Sequence, residues 1–365
     1  MTMKHRIVMV WIVALCLMVG NTLAQTFATP TPSGEALTPS EAAALPPLPT
    51  GWMLNNVRFE AQGWNNCGPA TITNALSYYG YQNNQTRAAN WLKPNYEDKN
   101  VSPWQMAEFV NTQVGEIDVY AMVRHGGTLD TLKRLISNNF PVIIEKGYDP
   151  EPDRLGWMGH YLLLVGYDDA RGVFITHDSY IGANTQYTYE YIETYWQHFN
   201  YLYMPIYSAS RENDLKTVLG DNFDERTNII NALQIARAEA TSDPTDKFAW
   251  FNMGTNFTFL EMYNEASISY DEARKYNLPY RMLWYQFGIF EAYYNVGRYD
   301  DMITFAQANL NDGGGQYVEE TYYYAGLARW GKGEKERAIN NLDAALQFNP
   351  NFAPALEAKA MLLSQ

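Results

Sequence analysis

Cysteine, histidine and positive charge are the scarce materials of this chain. Two cysteines in 365 residues exclude a disulfide-stapled scaffold, and with no paired cysteines and no His-Glu-x-x-His pattern no zinc set is visible. Cys16 lies inside an apolar run, Ile7 to Gly20, that follows Lys4 and Arg6. That run is about 14 residues, short of the roughly 20 that span a bilayer, and Thr22-Leu23-Ala24 reads as a signal-peptide cleavage site. Cleavage after Ala24 would leave Cys67 as the only thiol and no intramolecular disulfide; the alternative is an uncleaved membrane anchor. Lysine and arginine total 26 against 40 acidic residues, a formal charge of −14. Without a basic block of five or more, the chain is poorly equipped for nucleic acid. No glycine-rich phosphate loop is present, so no cofactor is expected. Asp149, Glu151 and Asp153 alternate as calcium ligands can, but the prolines between them break the loop pattern.

What is present is globular: 47% hydrophobic and 15% aromatic residues, in a length that allows two domains, each with its own core. After the signal peptide (1–24), residues 25–50 are rich in Thr, Pro, Ser and Ala and read as a linker. Order is expected from Gly51. The stretch Ala61 to Gly80 predicts a loop followed by an amphipathic helix: Gly68 and Pro69 sit in the first turn, Ile72, Ala75, Leu76 and Tyr79 recur at helical spacing, and Gly80 is a stop. Cys67 then stands at a helix N-terminus, where unpaired N–H groups and the macrodipole favour the thiolate, the nucleophilic form. Gln62, five residues upstream, could supply a side-chain amide to an oxyanion. A polar loop is expected at Gln82–Thr86, a helix at Pro103–Thr112, a strand at Ile117–Val123, a helix at Thr128–Asn138 and a strand at Pro141–Glu145. A loop over Gly147–Gly159 follows.

Tyr161–Tyr167 and Val173–His177 read as strands joined by a turn carrying Asp168, Asp169 and Gly172. A hairpin centred near Asp169 sets His160 opposite Asp178, Leu162 opposite Thr176 and Leu164 opposite Phe174. Cross-strand partners share a face within about 5.5 Å, so imidazole and carboxylate stand together while His177 points away. A one-residue slip would substitute His177 or Ser179. Of the other histidines, His125 belongs in a Gly-Gly turn and His198 among aromatics. Glu190–Phe199 predicts a short helix and Tyr201–Ile206 a closing strand.

Gln62, Cys67-Gly68-Pro69-Ala70, Tyr78-Tyr79-Gly80, Gly159-His160 and Asp178, in that order, resemble the papain-fold cysteine peptidases related to bacteriocin-leader (double-glycine) processing, family 39 of the cysteine peptidases. The resemblance covers residues 51–207. It implies an α+β papain-like domain with the cysteine helix packed on an antiparallel sheet. Cys67 would be nucleophile, His160 general base and acid, Asp178 the orienting group and Gln62 the oxyanion donor.

From Asn213 onward the pattern is helical. Trp250…Gly254…Phe257…Ala266…Tyr270…Ala273…Pro279 follows the tetratricopeptide spacing, and Tyr322…Gly326…Ala338…Leu342…Ala345…Pro350 repeats it, with a degenerate copy at Trp284…Gly288…Met302. The expected division is connecting helices or a half repeat at 208–246, repeats at 247–352 and a capping helix at 353–365. The composite reading is an exported, extracytoplasmic cysteine peptidase acting on a peptide or protein substrate, its repeats recruiting substrate or a protein partner. The alternatives are an acyl-transferring domain on the same scaffold or a catalytically inactive one in a binding scaffold.

Overall fold

The computed structural model describes residues 46–148 and 156–364. The signal segment at 1–24, most of the 25–50 linker and the alternating acids Asp149, Glu151 and Asp153 lie outside the described residues.

Strand β1 (Gly51–Met53) is followed by three helices: α1 (Cys67–Ser77), α2 (Gln85–Leu92) and α3 (Pro103–Gln113). Next come β2 (Tyr120–Ala121), α4 (Leu129–Ser137), β3 (Val142–Tyr148) and β4 (Met158–Asp168). β5 (Val173–Asp178), β6 (Gly182–Thr188), α5 (Tyr189–Trp196) and β7 (Tyr203–Tyr207) complete this part. All pairings are antiparallel, in the order β2-β7-β3-β4-β5-β6, with β1 against the far half of β4.

Alternation along the strands sends Ile143, Leu163, Val165 and Met204 under α1, α2 and α3, and Val142, Ile144, Leu162 and Leu164 under α4 and α5. A sheet covered on both faces explains why Tyr161–Tyr167 reads as an unbroken apolar run. The result is the expected α+β papain-like arrangement, with the cysteine helix on an antiparallel sheet.

Local structure departs from expectation in three places. The polar loop at Gln82–Thr86 runs into α2, whose start is fixed by Asn84 accepting from the Thr86 amide at 3.0 Å. β6 is an additional strand; its polar, half-exposed sequence gives little apolar alternation to read. The strand expected at Ile117–Val123 shrinks to two residues, Tyr120 and Ala121, with the Asn111 side chain bonded to both the N–H and the C=O of Ala121.

The hairpin register also differs, by two residues. Near the turn Tyr167 pairs with Phe174 and Gly166 with Ile175; continued unbroken, that register would set Asp178 opposite Leu163, on the face away from His160. A bulge between Leu164 and Gly166 shifts the pairing, so that Leu164 meets Thr176 and Leu163 meets His177. Asp178 therefore lines up with Leu162, on the face of His160. An even offset preserves faces, an odd one reverses them.

The chain continues through α6 (Glu212–Leu219) and α7 (Glu225–Ser242) into helix pairs of tetratricopeptide-like form. These are α8 (Lys247–Phe259) with α9 (Tyr263–Lys275), α10 (Gly288–Asn295) with α11 (Tyr299–Asn311), and α12 (Glu319–Gly331) with α13 (Lys335–Phe348); α14 (Ala353–Ser364) covers the end. Small residues let the helices touch: a Cβ on Gly254 would lie 2.7 Å from the Tyr270 ring, and one on Gly326 3.2 Å from Leu342. The degenerate copy is short at its start, where Tyr280–Trp284 forms a 3-10 turn in place of the first helical turns.

The described residues form one compact unit. Phe199 and Leu202 share a buried cluster with Trp284, Tyr285 and Val318. The Asn200 and Asn256 side-chain amides pair at 2.8 and 3.2 Å, and Gln286 donates to the His198 carbonyl at 2.9 Å. Because that core is shared, Phe199→Ala should lower stability by about 3–5 kcal/mol while thermal unfolding stays a single transition. Two separated calorimetric transitions would contradict the shared core.

Candidate active site

Cys67 is the first residue of α1, half-buried, with Asn66 as the flanking cap. The helix start fits closely against its neighbours: a Cβ on Gly68 would lie 3.2 Å from Val101 and 3.4 Å from the Met106 sulfur. Burial raises the Cys67 thiol, but the His160 imidazole hydrogen-bonded to it and the Tyr161 and Gly68 backbone amides outweigh that, and the group ends below its ordinary value.

His160 lies on β4, and its Nε2 is 2.9 Å from Asp178 Oδ1. With Nε2 committed to the carboxylate, Nδ1 is the ring nitrogen left for the thiol. Burial works against the imidazolium, yet Asp178 and Cys67 overcome it and push His160 up to about 9. Asp178, at the end of β5, is fully buried and surrounded by donors. Its Oδ1 also accepts from the Tyr180 and Ile181 amides at 2.9 and 3.1 Å, and its Oδ2 from the Tyr187 hydroxyl at 2.6 Å. Against the cost of burial, His160 and these donors hold the carboxyl well below the usual range.

Gln62 is tied to the residue after that carboxylate. Its N–H donates to the Ser179 carbonyl at 2.8 Å, and Ser179 Oγ donates to Gln62 Oε1 at 2.9 Å. The two Nε2 donors have no partner among the described residues. Four sequence-selected residues are thus held by one two-residue segment, Asp178-Ser179, and the helix start beside it.

The remaining histidines among the described residues are held neutral elsewhere. His177 points to the opposite face, against the Val57 carbonyl and the edge of Phe59. His198 stacks on Phe248 at 3.7 Å, His125 lies against Phe259, and burial pushes both down to about 3.

Several contributors carry no local sequence signal. Ser179 and Tyr187 become partners only through the hairpin and β6. Lys146, opposite His160 on β3, is fully buried with its ammonium 4.6 Å from the Tyr148 ring centre and 5.1 Å from that of Tyr191; burial drives it down to about 7. Tyr285 arrives from the helical part. It hydrogen-bonds the Gly159 backbone, and a Cβ on Gly159 would come within 2.9 Å of its ring. That approach is why the residue before His160 is glycine. Among the described residues, no group of three or more His, Cys, Asp or Glu is placed to hold a metal ion.

A partly buried thiol, an imidazole and a saturated carboxylate in sequence is an arrangement able to perform acyl transfer. Residues 54–205 match the Peptidase_C39 like family. That C39-like domain is less than half of the chain. Among solved structures, a Bacillus anthracis protein described as a C39-like peptidase is similar at 14% identity, covering 43% of this chain and 98% of that one with a TM-score of 0.35. Two structures of MamA, the RS-1 ArsTM double mutant and the 41-end fragment from Desulfovibrio magneticus RS-1, are each similar at 17% identity, covering 38% of this chain and 75% of theirs with a TM-score of 0.33. No curated protein matches the chain.

The ion pair in the C39-like domain has a defined pH window. It exists above the lowered thiol value and is lost as pH rises through about 9, when His160 gives up its proton. Alkylation of Cys67 by iodoacetamide should therefore inflect below the ordinary thiol value of 9.0. Asp178→Asn removes the charge that keeps His160 protonated and should move that inflection upward. A wild-type inflection at the ordinary thiol value would contradict the pairing.

Proposed function

We propose that this chain is an exported cysteine peptidase that hydrolyses peptide bonds through Cys67, His160 and Asp178, with Gln62 as oxyanion donor. The observation that carries the reading is the 2.9 Å contact of His160 Nε2 with a donor-saturated Asp178, in an imidazole that also meets the Cys67 thiol. Export rests on the N-terminal segment, with its basic start, apolar run and small-residue site, and the tetratricopeptide-like helices would recruit substrate or a protein partner.

The chemistry then runs in two halves. The Cys67 thiolate attacks the scissile carbonyl, and the oxyanion that forms is met by Gln62 Nε2 and the Cys67 backbone N–H. The C–N bond breaks as His160 gives its proton to the departing amine, leaving a thioester on Cys67. Water enters, His160 removes its proton, the hydroxide adds to the thioester, and collapse releases the carboxylic acid and restores the thiolate–imidazolium pair. Asp178 holds the ring so that one nitrogen faces the sulfur throughout, staying ionised itself.

Two features of this C39-like site fit the scheme without further assumption. The imidazolium beside the sulfur, retained up to about 9, favours the nucleophilic thiolate at neutral pH. Gln62 has its Oε1 occupied by Ser179, so its donor end is the one available to an oxyanion.

Cys67→Ala should abolish hydrolysis of unfolded protein substrates, and Gln62→Ala should lower kcat by about 100- to 1,000-fold with a smaller change in KM. Ser179→Ala, which frees Gln62 to rotate, should lower kcat less. Full hydrolysis by the Cys67→Ala protein would overturn the reading, as would release of the trapped thioester by amines alone and never by water.

A further inference from the structure

Lys146 stands fully buried on β3, directly opposite His160 on β4 and therefore on the same face of the sheet. Among the described residues its ammonium donates to the Gly147 carbonyl at 3.3 Å and to the Tyr191 hydroxyl at 3.2 Å. Tyrosine rings close around it. Their centres lie 4.6 Å (Tyr148), 5.1 Å (Tyr191), 5.6 Å (Tyr187) and 5.8 Å (Tyr195) from the nitrogen. Aromatic faces arranged in this way attract an ammonium withdrawn from water, because the ring quadrupole is negative above and below the plane.

The rings that hold the ammonium also hold the His160–Asp178 pair. Tyr187 donates its hydroxyl to Asp178 Oδ2 at 2.6 Å and stacks on Tyr191 with ring centres 4.8 Å apart. Burial and the charge of Asp178 keep that hydroxyl protonated, so it stays a donor. Tyr148 touches both sides: its ring lies over the Lys146 ammonium, and its centre is 5.6 Å from that of the His160 ring. Two chains of contact thus run from Lys146 to the imidazole. One passes through Tyr148, the other through Tyr191, Tyr187 and Asp178.

The titratable groups facing Lys146 come from each element packed around it. They are Tyr148 on β3, His160 on β4, Asp178 on β5, Tyr187 on β6, Tyr191 and Tyr195 on α5, and His198 in the turn after α5. Among these the carboxylate is Asp178. Burial lowers the Lys146 amine to about 7, and Asp178 opposes that loss of charge.

We propose, resting on the peptidase reading above, that Lys146 is a positioning residue: its ammonium fixes Tyr148 and Tyr187, and through them keeps the His160 imidazole set between Asp178 and the Cys67 sulfur.

The test uses the full chain. Lys146→Met fills a similar volume without the charge, and Tyr187→Phe removes the hydroxyl bonded to Asp178. The first readout needs no substrate: the rate of Cys67 alkylation by iodoacetamide, taken just below the Lys146 value of about 7. Both variants should react several-fold more slowly than wild type. The double variant should lose clearly less than the product of the two single effects, because Lys146 acts in part through Tyr187. The second readout is hydrolysis, in which the loss should fall on kcat with KM nearly unchanged. Wild-type alkylation in a folded Lys146→Met protein overturns the proposal, as do single effects that simply multiply in the double variant. If Lys146→Met does not fold, Tyr191→Phe decides, since it removes the hydroxyl bonded to Lys146 and keeps the stacked ring. Slower alkylation there supports the proposal and an unchanged rate overturns it. Absence of any Cys67-dependent hydrolysis by the wild-type chain, with the alkylation pattern retained, overturns the peptidase reading and leaves Lys146 as the positioning residue of a thiol–imidazole pair.

Discussion

The hydrogen bond between His160 and Asp178 is the constraint around which the rest of the site is built. It demands that two residues from adjacent strands share a face, and the hairpin by itself does not arrange this. The bulge between Leu164 and Gly166 does, by converting a register that would turn Asp178 away into one that turns it inward. Once there, Asp178 is fixed by two backbone amides of the following turn and by Tyr187 from β6. Ser179, the next residue, anchors Gln62. One strand end therefore sets the orientation of the imidazole, favours ionisation of the thiol and fixes the placement of the Gln62 side chain.

The helical part is bound into the same construction. Tyr285 lies against Gly159, and Phe199 and Leu202 share their core with Trp284 and Val318. A second junction runs through buried acids. Asp98 and Glu320 are both pushed well up, by burial and by the charge of Glu319 between them. Asn100, Ser102 and Asn349 donate into that cluster. Buried carboxylates are costly unless neutralised or bonded, and here burial favours the neutral form while these donors bond what remains.

Much of this was legible in the sequence where the signal is local. The start of α1 is marked by Gly68 and Pro69, its apolar face by Ile72, Ala75 and Leu76, and the helix pairs by the glycine, alanine and aromatic spacing that Gly254 and Tyr270 exemplify. His160 and Asp178 could be placed on one face because an error of two residues in register preserves parity. The bulge itself was missed, although Gly166, a glycine inside an apolar strand run, is a signal for one. β6 was missed because an edge strand with half-exposed polar residues lacks apolar alternation, and α2 because its start lies in a polar stretch. Tyr285 was out of reach for another reason: it meets Gly159 only through a contact between parts distant in the chain.

The most direct test of the account is the titration of the His160 imidazole itself, followed by NMR on selectively labelled protein. Burial alone would drag this ring below its ordinary value of 6.5, whereas the Asp178 carboxylate and the Cys67 sulfur together hold it near 9. The account predicts a midpoint near 9 that falls when Cys67 is replaced by alanine. A midpoint at or below the ordinary value in the wild-type protein would contradict it.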